Sequence, residues 1–158
     1  LKTLKTLQTR WLVLIVGLIA IVIAACIAIY YLFLYSPYLS RPETANRIES
    51  VYNRANVILS FLGDDIRALA AGNITLATFT GRVASRTTDM TNLHLEVIEL
   101  RAAADPAFLT SIDYLERGLQ SYVTALNYAA NVDLPSTTQY LEEGTSYINQ
   151  SRDALPTF

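Results

Sequence analysis

The side chains able to ligate a metal or act as a nucleophile are few in this chain of 158 residues. It has one cysteine (Cys26), one histidine (His94) and one methionine (Met90). A c-type haem needs Cys-x-x-Cys-His, an iron–sulfur cluster needs several thiolates, and zinc needs three or four His, Cys or acidic ligands. A single cysteine inside an apolar run supplies none of these. Met90 and His94 fall one turn apart on one helical face, so they cannot approach opposite sides of a haem plane, and His94 reads as a residue flanking the core. A di-iron carboxylate site in a bundle calls for Glu-x-x-His on two helices, which the sequence lacks. Glu96, Glu99, Asp113, Glu116, Glu142 and Glu143 fall mostly off the apolar stripes and read as a solvated face. Ser and Thr are plentiful but have no histidine partner for a triad, and there is no Gly-rich phosphate loop or Walker motif. Neither catalysis nor a metal or organic cofactor is expected.

Two polar features interrupt the apolar stripes. Asp65 and Arg86 each occupy a seam position in consecutive helical segments that fold back across Gly72. Counting outward from that turn makes Arg82 the better-matched partner of Asp65, and both seam charges are expected to reach solvent or a neighbouring subunit. Tyr114, Tyr128, Tyr140 and Tyr147 are read as exposed tyrosines able to contact a partner, because Tyr is enriched at interfaces. Asn73-Ile74-Thr75 and Asn149-Gln150-Ser151 match the glycosylation acceptor pattern, as chance allows in a chain with this much Asn, Ser and Thr.

The elements that must carry these residues follow from periodicity. Residues 11–35 form an uncharged apolar run, long enough at about 1.5 Å per residue to cross a bilayer. Lys2, Lys5 and Arg10 precede it, which predicts a cytoplasmic basic flank over 1–10 and an extracytoplasmic remainder. Trp11 at one end and Tyr30, Tyr31, Tyr35 and Tyr38 at the other fit headgroup belts. Gly17, Ala20, Ala24 and Ala28 recur at three- and four-residue spacing and would let another helix pack closely in lipid. Ile23-Ala24-Ala25-Cys26 resembles a lipobox, but the apolar run continues through Tyr35, so an uncleaved anchor is the preferred reading. The chain starts on Leu1, as a processed or shortened chain would.

After a juxtamembrane linker over 36–42, four amphipathic stretches follow within 43–158. Ser40 and Glu43 suggest a capping box, and Ile48, Val51, Ala55, Ile58, Leu62, Asp65 and Leu69 step by three and four until Gly72-Asn73. Leu76, Phe79, Val83, Arg86, Met90, Leu93, Val97, Leu100 and Ala104 mark a second helix, ended by Asp105-Pro106. Phe108, Ile112, Leu115, Leu119, Tyr122, Leu126 and Ala129 mark a third without interruption. Leu141, Gly144, Ile148, Ser151 and Leu155 mark a fourth, starting after Leu134-Pro135 with Ser136 and Gln139 as its cap; its Gly and Ser make it the weakest. The expected fold is all-α: one N-terminal transmembrane helix followed by an antiparallel up-and-down four-helix bundle.

Residues 36–158 carry nine Arg, no Lys and fourteen Asp or Glu. A mildly acidic domain argues against nucleic-acid binding. The function expected by exclusion is a non-catalytic, single-pass accessory subunit of a larger membrane complex, such as a respiratory or photosynthetic assembly. Its expected partners are membrane lipid and other subunits. Two alternatives use the same architecture. An N-terminal span followed by an outward four-helix bundle resembles the front half of bacterial chemoreceptors, which implies a sensor or ligand-binding module. An N-terminal apolar helix on a small domain suggests a pilin-type filament subunit, although Lys2 and Lys5 and the lack of an early Glu tell against it.

Overall fold

Helix starts are set by short polar side chains that satisfy otherwise orphaned backbone N–H groups. In the computed structural model, which describes residues 21–31 and 38–157, Ser40 Oγ accepts from the Glu43 N–H at 3.4 Å and opens α1, Arg41–Ala70. The reciprocal half of the expected capping box is absent, because the Glu43 carboxylate accepts from Arg47 one turn on instead. Thr75 Oγ1 accepts from the Thr78 N–H and opens α2, Leu76–Ala103. Asp105 caps a short 3₁₀ turn, Pro106–Phe108, that runs into α3, Leu109–Ala130. Asp133 caps α4, Leu134–Asp153, by accepting from the Ser136 N–H. The expected Ser136 cap is therefore corrected: Pro135 sits inside the first turn, where its missing N–H is tolerated, and the start moves back to Asp133.

The chain divides into two compact units, Leu1–Pro37 and Tyr38–Phe158. In the first, residues 21–31 are helical and exposed. At about 1.5 Å per residue they extend roughly 16 Å, about half the thickness of a bilayer's hydrocarbon core. Among the described residues no helix is long and apolar enough to cross a membrane. The helices of the second unit that have the length carry charged residues along their outer faces. The expected single-span architecture is thus corrected to an all-helical chain. The topology built on it, with a cytoplasmic N-terminus and an extracytoplasmic domain, is withdrawn with it. Residues 1–20 and 32–37, including Gly17 and Ala20 of the expected small-residue groove, lie outside the described residues. Ala24 and Ala28 lie on the exposed helical segment.

In the second unit α1 to α4 run alternately up and down, as the cross-helix pairs show. Asp65 meets Arg82 and Arg86 while Arg54 meets Glu96, so number rises on α1 as it falls on α2. Arg101 reaches Asp113 and Glu116 across the next turn, and Tyr114 meets Tyr147 where Tyr128 meets Tyr140. The core lies between the helices. It holds Ile48, Val51 and Leu62 of α1, Phe79, Met90 and Val97 of α2, Phe108, and Ile112, Leu115, Leu119 and Leu126 of α3. Each such side chain contributes on the order of 1.5–3 kcal/mol when taken out of water. The whole expected stripe from Phe108 to Ala129 is buried. Leu76, at the first turn of α2, is instead 53% exposed, and Tyr52 joins the core from outside the expected α1 seam.

The fourth helix reaches the core by close approach rather than by large side chains. A Cβ added at Gly144 would stand 2.5 Å from Cδ1 and Cε1 of Tyr122, and one at Gly118 would stand 2.9 Å from Ile148 Cδ1. The two glycines therefore let α3 and α4 cross nearly backbone to backbone. At the far end of this helix Ser151 forms a buried polar knot with Ser111 and Tyr52. Ser151 Oγ donates to the Ser111 carbonyl at 2.6 Å, and Ser111 Oγ donates to the Ser151 carbonyl at 2.8 Å. With both serine protons used, the Tyr52 hydroxyl is the donor in its 2.7 Å bond to Ser151 Oγ. The residues that make α4 look weak in sequence are the ones that fasten it.

Candidate functional site

On α3, Tyr114, Arg117, Ser121, Thr124 and Tyr128 step by three and four, so they share one stripe. On α4, Tyr140, Glu143 and Tyr147 do the same. The glycine-mediated crossing brings these stripes side by side. Tyr128 stacks on Tyr140 with ring centroids 5.4 Å apart and planes 7° from parallel, and Tyr114 stacks on Tyr147 at 6.5 Å and 23°. Tyr114 and Tyr128 stand about four turns apart on α3, and Tyr147 and Tyr140 about two turns apart on α4. Between them lies a polar hollow of about 230 Å³ lined by Arg117, Gln120, Ser121, Thr124 and Glu143 together with Tyr140 and Tyr147.

All four tyrosines expected to be partner contacts thus lie on one face, joined pairwise across two helices rather than presented singly. Tyr128 is 36% exposed and the other three are half-buried. Stacking holds each ring in a fixed orientation, and side chains ordered in this way lose less entropy in any contact they make. Arg117 is exposed and makes no hydrogen bond or ion pair with any described residue. Most other arginines of the bundle are engaged, among them Arg41 with Asp105, Arg47 with Glu43, Arg54 with Glu96 and Arg67 with Asp64. Ordered tyrosines around a guanidinium that has no partner among the described residues are the residue types enriched at the energetic centres of interfaces.

Asp65 does not reach solvent as expected. Its side chain is 4% exposed, with Oδ1 2.8 Å from Arg82 and Oδ2 2.5 and 2.9 Å from two nitrogens of Arg86. Burial alone would raise its carboxyl pKa. The hydrogen bonds and charges of the two guanidiniums outweigh that effect and hold it below the ordinary 3.8. The register argument that favoured Arg82 found one partner and missed that Arg86 swings to the same carboxylate. Arg86 also lies over the Phe61 ring, 5.0 Å from its centroid. The arrangement is a structural clamp between α1 and α2, since each oxygen of the buried Asp65 carboxylate holds a guanidinium of α2.

Burial raises the pKa of the Tyr52 and Tyr122 hydroxyls, against the opposing effect of their hydrogen bonds to serine and threonine, so both stay protonated donors at neutral pH. Met90 is fully buried and His94 half-buried, with His94 Nε2 enclosed and without a hydrogen-bond partner. Asp113 Oδ1 faces Arg101 at 3.0 Å as an ion pair without hydrogen-bond alignment. Among the described residues no three His, Cys, Asp or Glu side chains stand where they could hold one metal ion. Thr75 and Ser151 of the two acceptor-like tripeptides are occupied as a helix cap and in the buried knot. No known family model, curated protein or solved structure matches this chain.

Proposed function

We propose that this chain is a non-catalytic accessory subunit of a larger protein assembly, and that the tyrosine face of α3 and α4 holds its partner. The observation that supports this reading is the pair of stacked tyrosine couples beside Arg117, which has no partner among the described residues. A bundle needs neither stack for its core, because the adjoining positions Leu115, Ala125, Leu126 and Ile148 already fill it. Rigid aromatic rings at a surface, beside a guanidinium with free donors, offer large contact area at small entropic loss.

The test is site-specific photocrosslinking in the native host, with the photoreactive residue at Tyr128 and, as control, at the exposed Ser85 of α2. The reading expects one stoichiometric partner crosslinked from position 128 and not from 85. Tyr128→Ala combined with Tyr114→Ala should then weaken co-purification tenfold or more, about 1.4 kcal/mol, while leaving the far-ultraviolet circular dichroism unchanged. Equal crosslinking from both positions, or a chain that migrates alone, would overturn it.

A further inference from the structure

The turn between α3 and α4 carries a valine where glycine or asparagine is the ordinary choice. Val132 has φ +59°, and its backbone is held on both sides by the last turn of α3: the Val132 N–H bonds to the Ala129 carbonyl and the Asp133 N–H to the Tyr128 carbonyl. The fold gains little packing in return. Val132 is 41% exposed, and Leu134, two residues on, is 46% exposed. A strained backbone that holds two apolar side chains in water stabilises nothing in the free chain, and strain of this kind concentrates at sites of contact.

Two further features say what meets these side chains. The first is continuity. Tyr114, Arg117, Ser121, Thr124 and Tyr128 form one stripe of α3, and Val132 follows Tyr128 by four residues, so the apolar pair begins where the Tyr128–Tyr140 couple ends. The second is charge. Residues 118–151 contain no lysine or arginine. Asp133 is the turn's own ionisable group, and its carboxylate accepts from the Ser136 N–H at 3.2 Å and from the Ser136 hydroxyl at 2.7 Å. Anionic headgroups are held by clustered Lys and Arg, which this segment lacks. The two side chains together also carry fewer carbons than one myristoyl chain, which by itself binds membranes only marginally. A lipid surface is therefore a poor match, and an apolar, uncharged protein surface is a good one.

Resting on the assignment of the tyrosine face to a partner, we infer that the same partner protein reaches over the α3–α4 turn and receives Val132 and Leu134 in an apolar, uncharged pocket. The tyrosines and Arg117 give oriented contacts along the helices. The turn adds a rigid hydrophobic peg at one end, which fixes where along the stripe the partner sits.

The experiment places a photoreactive residue at position 134 of the full chain in the native host, with positions 128 and 76 in parallel, and locates the joined partner residue by mass spectrometry. Leu76 is the matched control: it is 53% exposed at the same end of the bundle, in the first turn of α2, and lies outside the tyrosine stripe. Position 134 is expected to join the polypeptide that 128 joins, at an apolar residue of it, and position 76 is not. Val132→Gly keeps the turn, because glycine suits the left-handed region, and should weaken co-purification of that polypeptide about tenfold without lowering the melting temperature. Leu76→Ser should leave co-purification unchanged. Equal joining from 134 and 76, or joining from 134 only to lipid or to a second copy of this chain, would overturn the pocket. If Val132→Gly and Leu134→Ala both keep co-purification intact while Tyr128→Ala with Tyr114→Ala abolishes it, the pocket falls and the tyrosine face stands. If none of these variants matters, both fall.

Discussion

Asp65 and Arg86, twenty-one positions apart, meet across the α1–α2 pair with the carboxylate Oδ2 2.5 Å from one guanidinium nitrogen and 2.9 Å from another. Because the folded pKa of Asp65 lies below its ordinary 3.8, folding is favoured by the ionised form. That stability is fully present above pH 3.8 and is lost as pH falls through the folded value. Asp65→Asn should therefore cost about 2 kcal/mol at neutral pH by leaving the partly buried Arg86 without a counter-charge. The difference from the native chain should hold constant down to about pH 4 and shrink below it. Urea titrations at a series of pH values measure this directly; a gap independent of pH in acid would mean that the carboxylate's charge is not what matters.

Gly144 is expected to be intolerant even of alanine. In an ordinary exposed helix Gly→Ala gains up to about 1 kcal/mol from helix propensity. Here the new methyl group would meet the buried Tyr122 ring at 2.5 Å and the Gly118 carbonyl oxygen at 3.0 Å. Overpacking of this kind costs about 1–3 kcal/mol, so a net loss is expected. Gly118→Ala should lose less, since its nearest neighbour is the movable end of Ile148. Thermal unfolding of both variants tests the order; a stabilised Gly144→Ala would show that α3 and α4 can separate freely.

The third helix was fully legible because every seam position from Phe108 to Ala129 is apolar, and the structure buries each of them. The fourth was legible in place but misjudged in character. Periodicity marks Gly144 and Ser151 as seam positions without saying that one permits a backbone crossing and the other closes a three-residue hydrogen-bond knot. Asp65 was misread for a related reason: a polar residue in a seam looks like a surface residue until its counter-charges arrive from another helix. Of the tyrosine face, the residues were named from composition, but their stacking depends on the relative rotation of α3 and α4, which the two glycines set. Hydropathy alone predicts a spanning helix over residues 11–35, and the structure corrects this: no helix among the described residues is long and apolar enough to cross a membrane.

The Tyr52–Ser151 bond should show the asymmetry between losing a donor and orphaning one. Tyr52→Phe removes the hydroxyl, while Ser151 Oγ still donates to the Ser111 carbonyl, so a loss of about 1 kcal/mol is expected. Ser151→Ala leaves the buried Tyr52 hydroxyl and the Ser111 carbonyl without this partner, and about 2 kcal/mol or more is expected. A double variant should cost less than the sum of the two, because the orphaned hydroxyl is gone. Denaturant titration of the three variants measures the coupling, and strict additivity would show that the hydroxyls do not act as a unit.

Val132 closes α3 in a conformation that valine rarely adopts. Its φ is +59°, in the left-handed region, where the β-branch crowds the backbone. The geometry is imposed by the cap: the Val132 N–H bonds to the Ala129 carbonyl at 2.9 Å and the Asp133 N–H to the Tyr128 carbonyl at 3.1 Å, which turns the chain sharply so that Asp133 can open α4. Glycine is the usual residue at such a position. Since Val132 is 41% exposed, its side chain contributes little packing to offset the strain. Val132→Gly is therefore expected to stabilise the bundle by about 0.5–1 kcal/mol, the relief of strain exceeding the added entropy of the unfolded chain. The same turn fixes where Tyr128 and Tyr140 meet, so the substitution should leave their stacking intact. A raised melting temperature with an unchanged near-ultraviolet tyrosine signal is the expected result; a lowered one would show that the Val132 side chain, not the backbone turn, holds the α3–α4 connection.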